Sequence, residues 1–116
     1  MGVDLTLLPL LTPTYWASHD VIRVNRCREL WADVLALPQQ PIPEPLSCYV
    51  AQIANNETGY GNRENSPYGE RLCWTTAGAL ETLKDHPAIQ DDWINKAVWS
   101  YLRTMPEDWP IVLYWH

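Results

Sequence analysis

Ile111-Val112-Leu113-Tyr114-Trp115-His116 decides the fold class. The run is rich in β-branched and aromatic side chains and contains no Lys, Arg, Asp or Glu. Apolar residues at consecutive positions, rather than at every second one, read as a central strand buried on both faces. A central strand needs neighbours on both edges. Val3-Asp4-Leu5-Thr6-Leu7 alternates and supplies one, ended by Pro9 and Pro13. Val21-Ile22-Arg23-Val24 is a second run, suited to pair antiparallel with the first. Leu46-Ser47-Cys48-Tyr49-Val50-Ala51 and Leu72-Cys73-Trp74 read as two further strands.

Three helices fill the spaces between them. Asn25 reads as an N-cap for a helix over Arg26 to Ala36, in which Cys27, Leu30, Trp31, Val34 and Leu35 recur at i, i+3, i+4, i+7 and i+8. Thr75 or Thr76 can cap a second helix over Ala77–Asp85, closed by Pro87. Asp91 and Asp92 suit the positive N-terminal end of a third, with Ile94, Ala97, Val98, Tyr101 and Leu102 as its buried stripe and Pro106 as its stop. Four prolines from Pro38 to Pro45 make a stiff, extended connection. The order β-β-α-β-β-α-α-β predicts an α+β fold, a small, mostly antiparallel sheet of about four to five strands with three helices packed against it.

A length of 116 residues fits one domain over the whole chain. The 47% apolar content, with seven Trp and six Tyr, excludes a disordered chain. There is no Phe, so each buried aromatic ring brings an N–H or O–H that needs a partner. Fourteen acidic against eight basic residues give a net charge of −6, which disfavours a direct grip on nucleic-acid phosphates. No apolar run approaches the roughly 18–20 residues of a membrane span, and the start lacks the basic residues of a signal peptide. The chain therefore reads as a cytoplasmic protein.

Cys27, Cys48 and Cys73 form an odd set with no C-x-x-C pair, unlike a disulfide framework or a zinc site. They read as inert buried thiols in a reducing compartment, where the acceptor triplet Asn56-Glu57-Thr58 stays unglycosylated.

The stretch at about 54–71 is the most polar part of the chain, rich in Asn, Gly, Glu and Tyr and without an aliphatic side chain from Asn55 to Glu70. It has little to bury, which predicts a long surface loop or a wide hairpin. Asn56, Glu57, Tyr60, Arg63, Glu64, Tyr68 and Glu70 are its candidate binding residues. Tyr supplies rigid contact area and Asn adaptable hydrogen bonds, the mixture found in antibody loops. Glu57, Glu64 and Glu70 would also suit a metal or acid–base pair if two converged, but carboxylates in a polar segment are ordinarily solvated, here balanced by Arg63 and Arg71.

No phosphate-loop, dinucleotide, metalloprotease or nucleophile-elbow signature is present. Neighbouring residues rarely point the same way, so His19-Asp20 and Asp85-His86 read as structural, with His86 placed at the C-terminal end of a helix dipole. Arg23, Arg26 and Arg28 read as salt-bridged surface arginines beside Asp20, Glu29 and Asp33. No catalytic residue, metal ligand or cofactor is assigned.

Val3-Asp4-Leu5-Thr6-Leu7-Leu8-Pro9 at the start resembles a family of small bacteriophage and mobile-element proteins with no assigned activity. Asn95-Lys96-Ala97-Val98 and Val112-Leu113-Tyr114-Trp115-His116 near the end carry the same resemblance, as do Tyr60-Gly61 and Pro67-Tyr68-Gly69 in the middle. It implies a genomic setting rather than a mechanism. In that setting the expected function is stoichiometric protein binding, as an inhibitor of host defence or nucleic-acid machinery of the anti-CRISPR kind. The implied partner is a host protein or complex in the bacterial cytoplasm, with no direct nucleic-acid or membrane contact. The chain itself is expected as a monomer or small homo-oligomer. Two alternatives stand beside this: a small enzyme or nucleotide- or metal-binding domain using residues 55–71, and a phage assembly protein that self-associates through exposed aromatics.

Overall fold

A computed structural model describes residues 3–12, 15–18, 22–42, 48–54 and 57–116, with the backbone alone for 11–12, 15–18, 48–54 and 57–63. The fold is α+β. Strand β1 (Leu5–Thr12) pairs antiparallel with β2 (Tyr15–Ser18) over its second half and with β3 (Ile22–Val24) over its first. Helix α1 (Arg28–Leu35) and the two-residue strand β4 (Gln40–Pro41) follow. A separate hairpin joins β5 (Cys48–Ala54) to β6 (Glu57–Arg63), and β5 lies beside β2. The chain then runs through β7 (Cys73–Thr76), α2 (Ala77–Glu81), α3 (Pro87–Gln90) and α4 (Trp93–Leu102), and returns as β8 (Pro110–Trp115). The main sheet has the order β2-β1-β8-β7-β4, with β3 also on β1, and every pairing in it is antiparallel.

Strand β8 is central, as its continuous apolar run predicts. Ile111 and Leu113 face one side, against Leu5, Leu7 and the helices. Val112 and Tyr114 face the other, against Leu8, Leu10, Ile42 and Leu72. Burial on both faces leaves no position in the run that favours a polar residue.

Pro9 does not end β1. Asp4 and His116 exchange both backbone hydrogen bonds, at 3.2 and 2.9 Å. Even-numbered residues of β1 therefore direct their N–H and C=O groups toward β8, and odd-numbered ones away from it. The missing N–H of Pro9 falls on the far edge. There, among the described residues, β3 pairs as far as Leu7 and β2 from Leu10 onward, and none of these pairings uses the Pro9 position.

The helices depart from expectation in three places. First, α1 starts at Arg28 with Cys27 as an N-cap that makes no side-chain cap bond, while Asn25 faces α4 instead. Second, Thr76 caps α2 through Ala79 N–H at 3.1 Å, but α2 stops at Glu81. His86 then caps the additional short helix α3, its Nδ1 accepting from Ala88 N–H at 3.0 Å. Its Nε2, 3.3 Å from the Asp33 carboxylate, reaches α1. His86 thus serves a helix N-terminus, not a C-terminal dipole.

Third, α4 buries Asn95, Val98, Trp99 and Leu102, leaving Ile94 and Ala97 outward. The aromatic N–H groups find backbone carbonyls: Trp31 on Val3 at 2.6 Å, Trp99 on Leu80 at 2.8 Å and Trp109 on Leu10 at 2.8 Å. Trp31 also packs edge-on against Trp115, with ring centroids 5.7 Å apart.

Candidate functional site

Asn56 lies outside the described residues. Glu57, Tyr60 and Arg63 lie on β6, opposite Ala54, Ala51 and Cys48, so this half of the polar stretch is strand rather than loop. The remaining candidates, Glu64, Tyr68 and Glu70, belong to a tight hairpin that leads into β7.

The sequence of that hairpin accounts for its shape. Ser66-Pro67-Tyr68-Gly69 places Ser first, Pro second and Gly last, the residue choice of a type I turn followed by a left-handed residue. Gly69 N–H donates to the Ser66 carbonyl at 2.9 Å, and Gly69 has φ +89°, which a side chain would strain. Ser66 N–H donates to the Glu70 carbonyl at 2.7 Å, and the Ser66 hydroxyl accepts from Tyr68 N–H at 3.2 Å. At the base, Leu72 N–H donates to the Glu64 carbonyl at 2.9 Å. The Arg71 guanidinium donates to the Ile42 carbonyl through two nitrogens at 3.2 and 2.9 Å, and stands 3.5 Å from Glu64.

The result is an aromatic side chain, 58% exposed, on a turn with few degrees of freedom. Beside it a crevice of about 70 Å³ is lined by Leu35, Gln39, Glu70 and Cys73, among others. Leu35, expected in the buried stripe of α1, is 59% exposed and stands at its rim. Burial, followed by the Glu70 carboxylate, pushes the Cys73 thiol above its ordinary range and away from thiolate chemistry. Cys27 is likewise only half-buried, with its thiol 3.3 Å from Glu29.

Asp4, Arg23, Arg26 and His116 have structural partners. Asp4, rather than the acids near it in sequence, holds Arg23 at 3.0 Å and Arg26 at 2.9 Å, and the Arg26 hydrogen bond foremost lowers its carboxyl pKa. The Thr6 hydroxyl lies 2.7 Å from His116 Nε2, and His116 stacks on Tyr114. A hydroxyl beside an imidazole is the beginning of a nucleophile–base pair. Here Thr6 is buried in the sheet, and the neighbouring Asp4 carboxylate is taken by two arginines. Among the described residues, no group of three His, Cys, Asp or Glu side chains is placed to hold a metal ion. His19 and Asp20 lie outside them.

No protein-family model, curated protein or solved structure matches the chain. Function must therefore be read from the surface itself. Among the described residues, no helix is long and apolar enough to cross a membrane.

Sequence reasoning missed one prominent feature of that surface. Trp93, in the first turn of α4, is 79% exposed. The helix Trp93-Ile94-Asn95-Lys96-Ala97-Val98-Trp99-Ser100-Tyr101-Leu102 is apolar on two sides and admits two registers against the sheet. The register without a polar residue was the natural choice. The structure takes the other one because Asn95 finds partners in the interior.

Proposed function

We propose that the chain is an accessory protein of the phage or mobile-element type that binds a host protein or complex stoichiometrically in the bacterial cytoplasm. It inhibits host defence or nucleic-acid machinery by occupying a surface, in the manner of anti-CRISPR proteins. The observation that carries this reading is the display of Tyr68 on a hydrogen-bonded turn anchored by Arg71 to Ile42. A rigid, amphipathic ring that need not be ordered on binding is the favoured form of an interface anchor. Leu35 adds exposed apolar area nearby, and Glu64 and Glu70 supply a polar rim. The net charge of −6 complements a basic, nucleic-acid-binding patch on such a target.

The test is affinity capture from bacterial lysate with wild-type and Tyr68→Ala baits, read by mass spectrometry. One host complex enriched by the wild type and lost from Tyr68→Ala supports the reading. Equal capture by both baits, or a stoichiometric nucleotide or metal ion in place of a protein, refutes it.

A further inference from the structure

Helix α2 and the C-terminal end of α4 border a cleft of about 400 Å³, within the range of small-molecule sites. Glu81, Lys84, Arg103 and Glu107 line it, together with the apolar Leu102 and Met105. Its wall thus holds two carboxylates and two cations, with no net charge. The wall is also fixed. Gly78 N–H donates to the Glu107 carbonyl at 2.8 Å, and Ala77 N–H to the Trp109 carbonyl at 3.0 Å. A Cβ on residue 78 would stand 3.0 Å from the Glu107 carbonyl oxygen, so glycine there lets the loop close against α2.

One charged pair in this cleft is incomplete. Glu81 Oε1 accepts from Arg103 Nε at 3.0 Å. Glu81 Oε2 is shut off from water and has no hydrogen-bond partner, alone in this among the buried side-chain oxygens and nitrogens of the described residues. A carboxylate oxygen in that state costs free energy until a donor reaches it. The Glu81 side chain is 19% exposed and that of Arg103 60%, so Arg103 is the freer half of the pair. Lys84 and Glu107 enter no ion pair among the described residues.

We propose that the cleft binds a free α-amino acid with an apolar side chain. The ligand lies head to tail along the Glu81–Arg103 pair, its ammonium on Glu81 and its carboxylate on the guanidinium N–H groups that Glu81 leaves free. A zwitterion matches a wall with charges of both signs, whereas a simple anion or cation would meet a like charge beside its partner. The 3.0 Å between Oε1 and Nε sets the spacing of those charges. A complementary ligand must carry its own on neighbouring groups, as an α-carbon does. Arg103 yields as the ammonium enters, which opens Oε2 to the ligand's N–H groups. Lys84 supplies a second cation for the ligand carboxylate, and Leu102 and Met105 receive the apolar side chain.

A ligand of this size in an open cleft should bind with Kd on the order of 1 mM. None of the residues involved belongs to the Tyr68 turn, so this inference and the proposed function stand or fall separately.

The test is a titration of isotope-labelled chain with L-leucine, followed by amide chemical shifts. The shifts should concentrate at Gly78, Glu81, Lys84 and Arg103. Two probes separate the charges: ε-aminocaproate, an isomer of leucine with its charges far apart, and isocaproate, which is leucine without the ammonium. Each should bind about tenfold more weakly than leucine, or worse. Glu81→Gln and Arg103→Gln should weaken leucine binding by a similar factor. Arg103 is exposed, so its variant folds and carries the test even if Glu81→Gln lowers stability. No localised shift at about 20 mM leucine overturns the proposal. So does either probe binding as tightly as leucine, or an unchanged leucine affinity in Arg103→Gln.

Discussion

The side-chain oxygen of Asn95 accepts the backbone N–H of Asn25 at 2.7 Å, joining residues 70 apart in sequence. Asn95 is 1% exposed, and its amide nitrogen donates to the carbonyls of Asn25 and Ala88 at 3.2 and 3.1 Å. The Asn25 amide in turn donates to both oxygens of Asp92, which caps α4 through the N–H groups of Ile94 and Asn95. One buried side chain thus fixes the start of α4 against the end of β3 and against α3. Asn95→Leu preserves size but strands the Asn25 N–H and two carbonyls. It should cost about 2–4 kcal/mol in denaturant unfolding. A loss below about 0.5 kcal/mol would show that the network is dispensable.

The two tryptophans of α4 separate its faces. Trp99 is 1% exposed and bonded to Leu80, whereas Trp93 is 79% exposed. Trp99→Ala should cost about 3–5 kcal/mol at equilibrium. Trp93→Ala should stay within about 0.5 kcal/mol of the wild type in the monomer. Interchanged costs would mean that α4 is rotated by about a third of a turn.

His116 gives a pH dependence. Burial first of all lowers its pKa from 6.5; Asp4 opposes this and Arg23 adds to it. The unfolded chain then binds a proton that the folded chain resists, so stability is full above the unfolded value and declines as pH falls below about 6.5 and through the folded value. His116→Gln should flatten that limb in urea unfolding measured from pH 7.5 to pH 5. An unchanged limb in the variant would assign the dependence to other groups.

The fold was legible where a strand is buried on both faces. Ile111–Tyr114 has no alternation to misread, and its two faces are the two cores. The β1–β3 pairing was equally legible, because alternation in both runs sets inward positions opposite one another. The length of β1 was not, because the effect of Pro9 depends on which edge its missing N–H faces, a property of register and not of local sequence.

The rotation of α4 was hidden for a related reason. A buried Asn costs free energy unless partners exist, and those partners lie 70 residues away and on the preceding helix. Of the candidate site, Ser66-Pro67-Tyr68-Gly69 announces its turn chemistry in sequence. Its anchor, the Arg71 contact with Ile42, crosses 29 residues and does not.

Recognition through the Tyr68 turn is tested most directly by isothermal titration of the captured partner with wild-type chain and with Tyr68→Ala, at matched thermal stability. The prediction is a defined stoichiometry with the wild type and an affinity at least about tenfold lower, by about 1.4 kcal/mol or more, with Tyr68→Ala. Equal affinities at the same stoichiometry would contradict it.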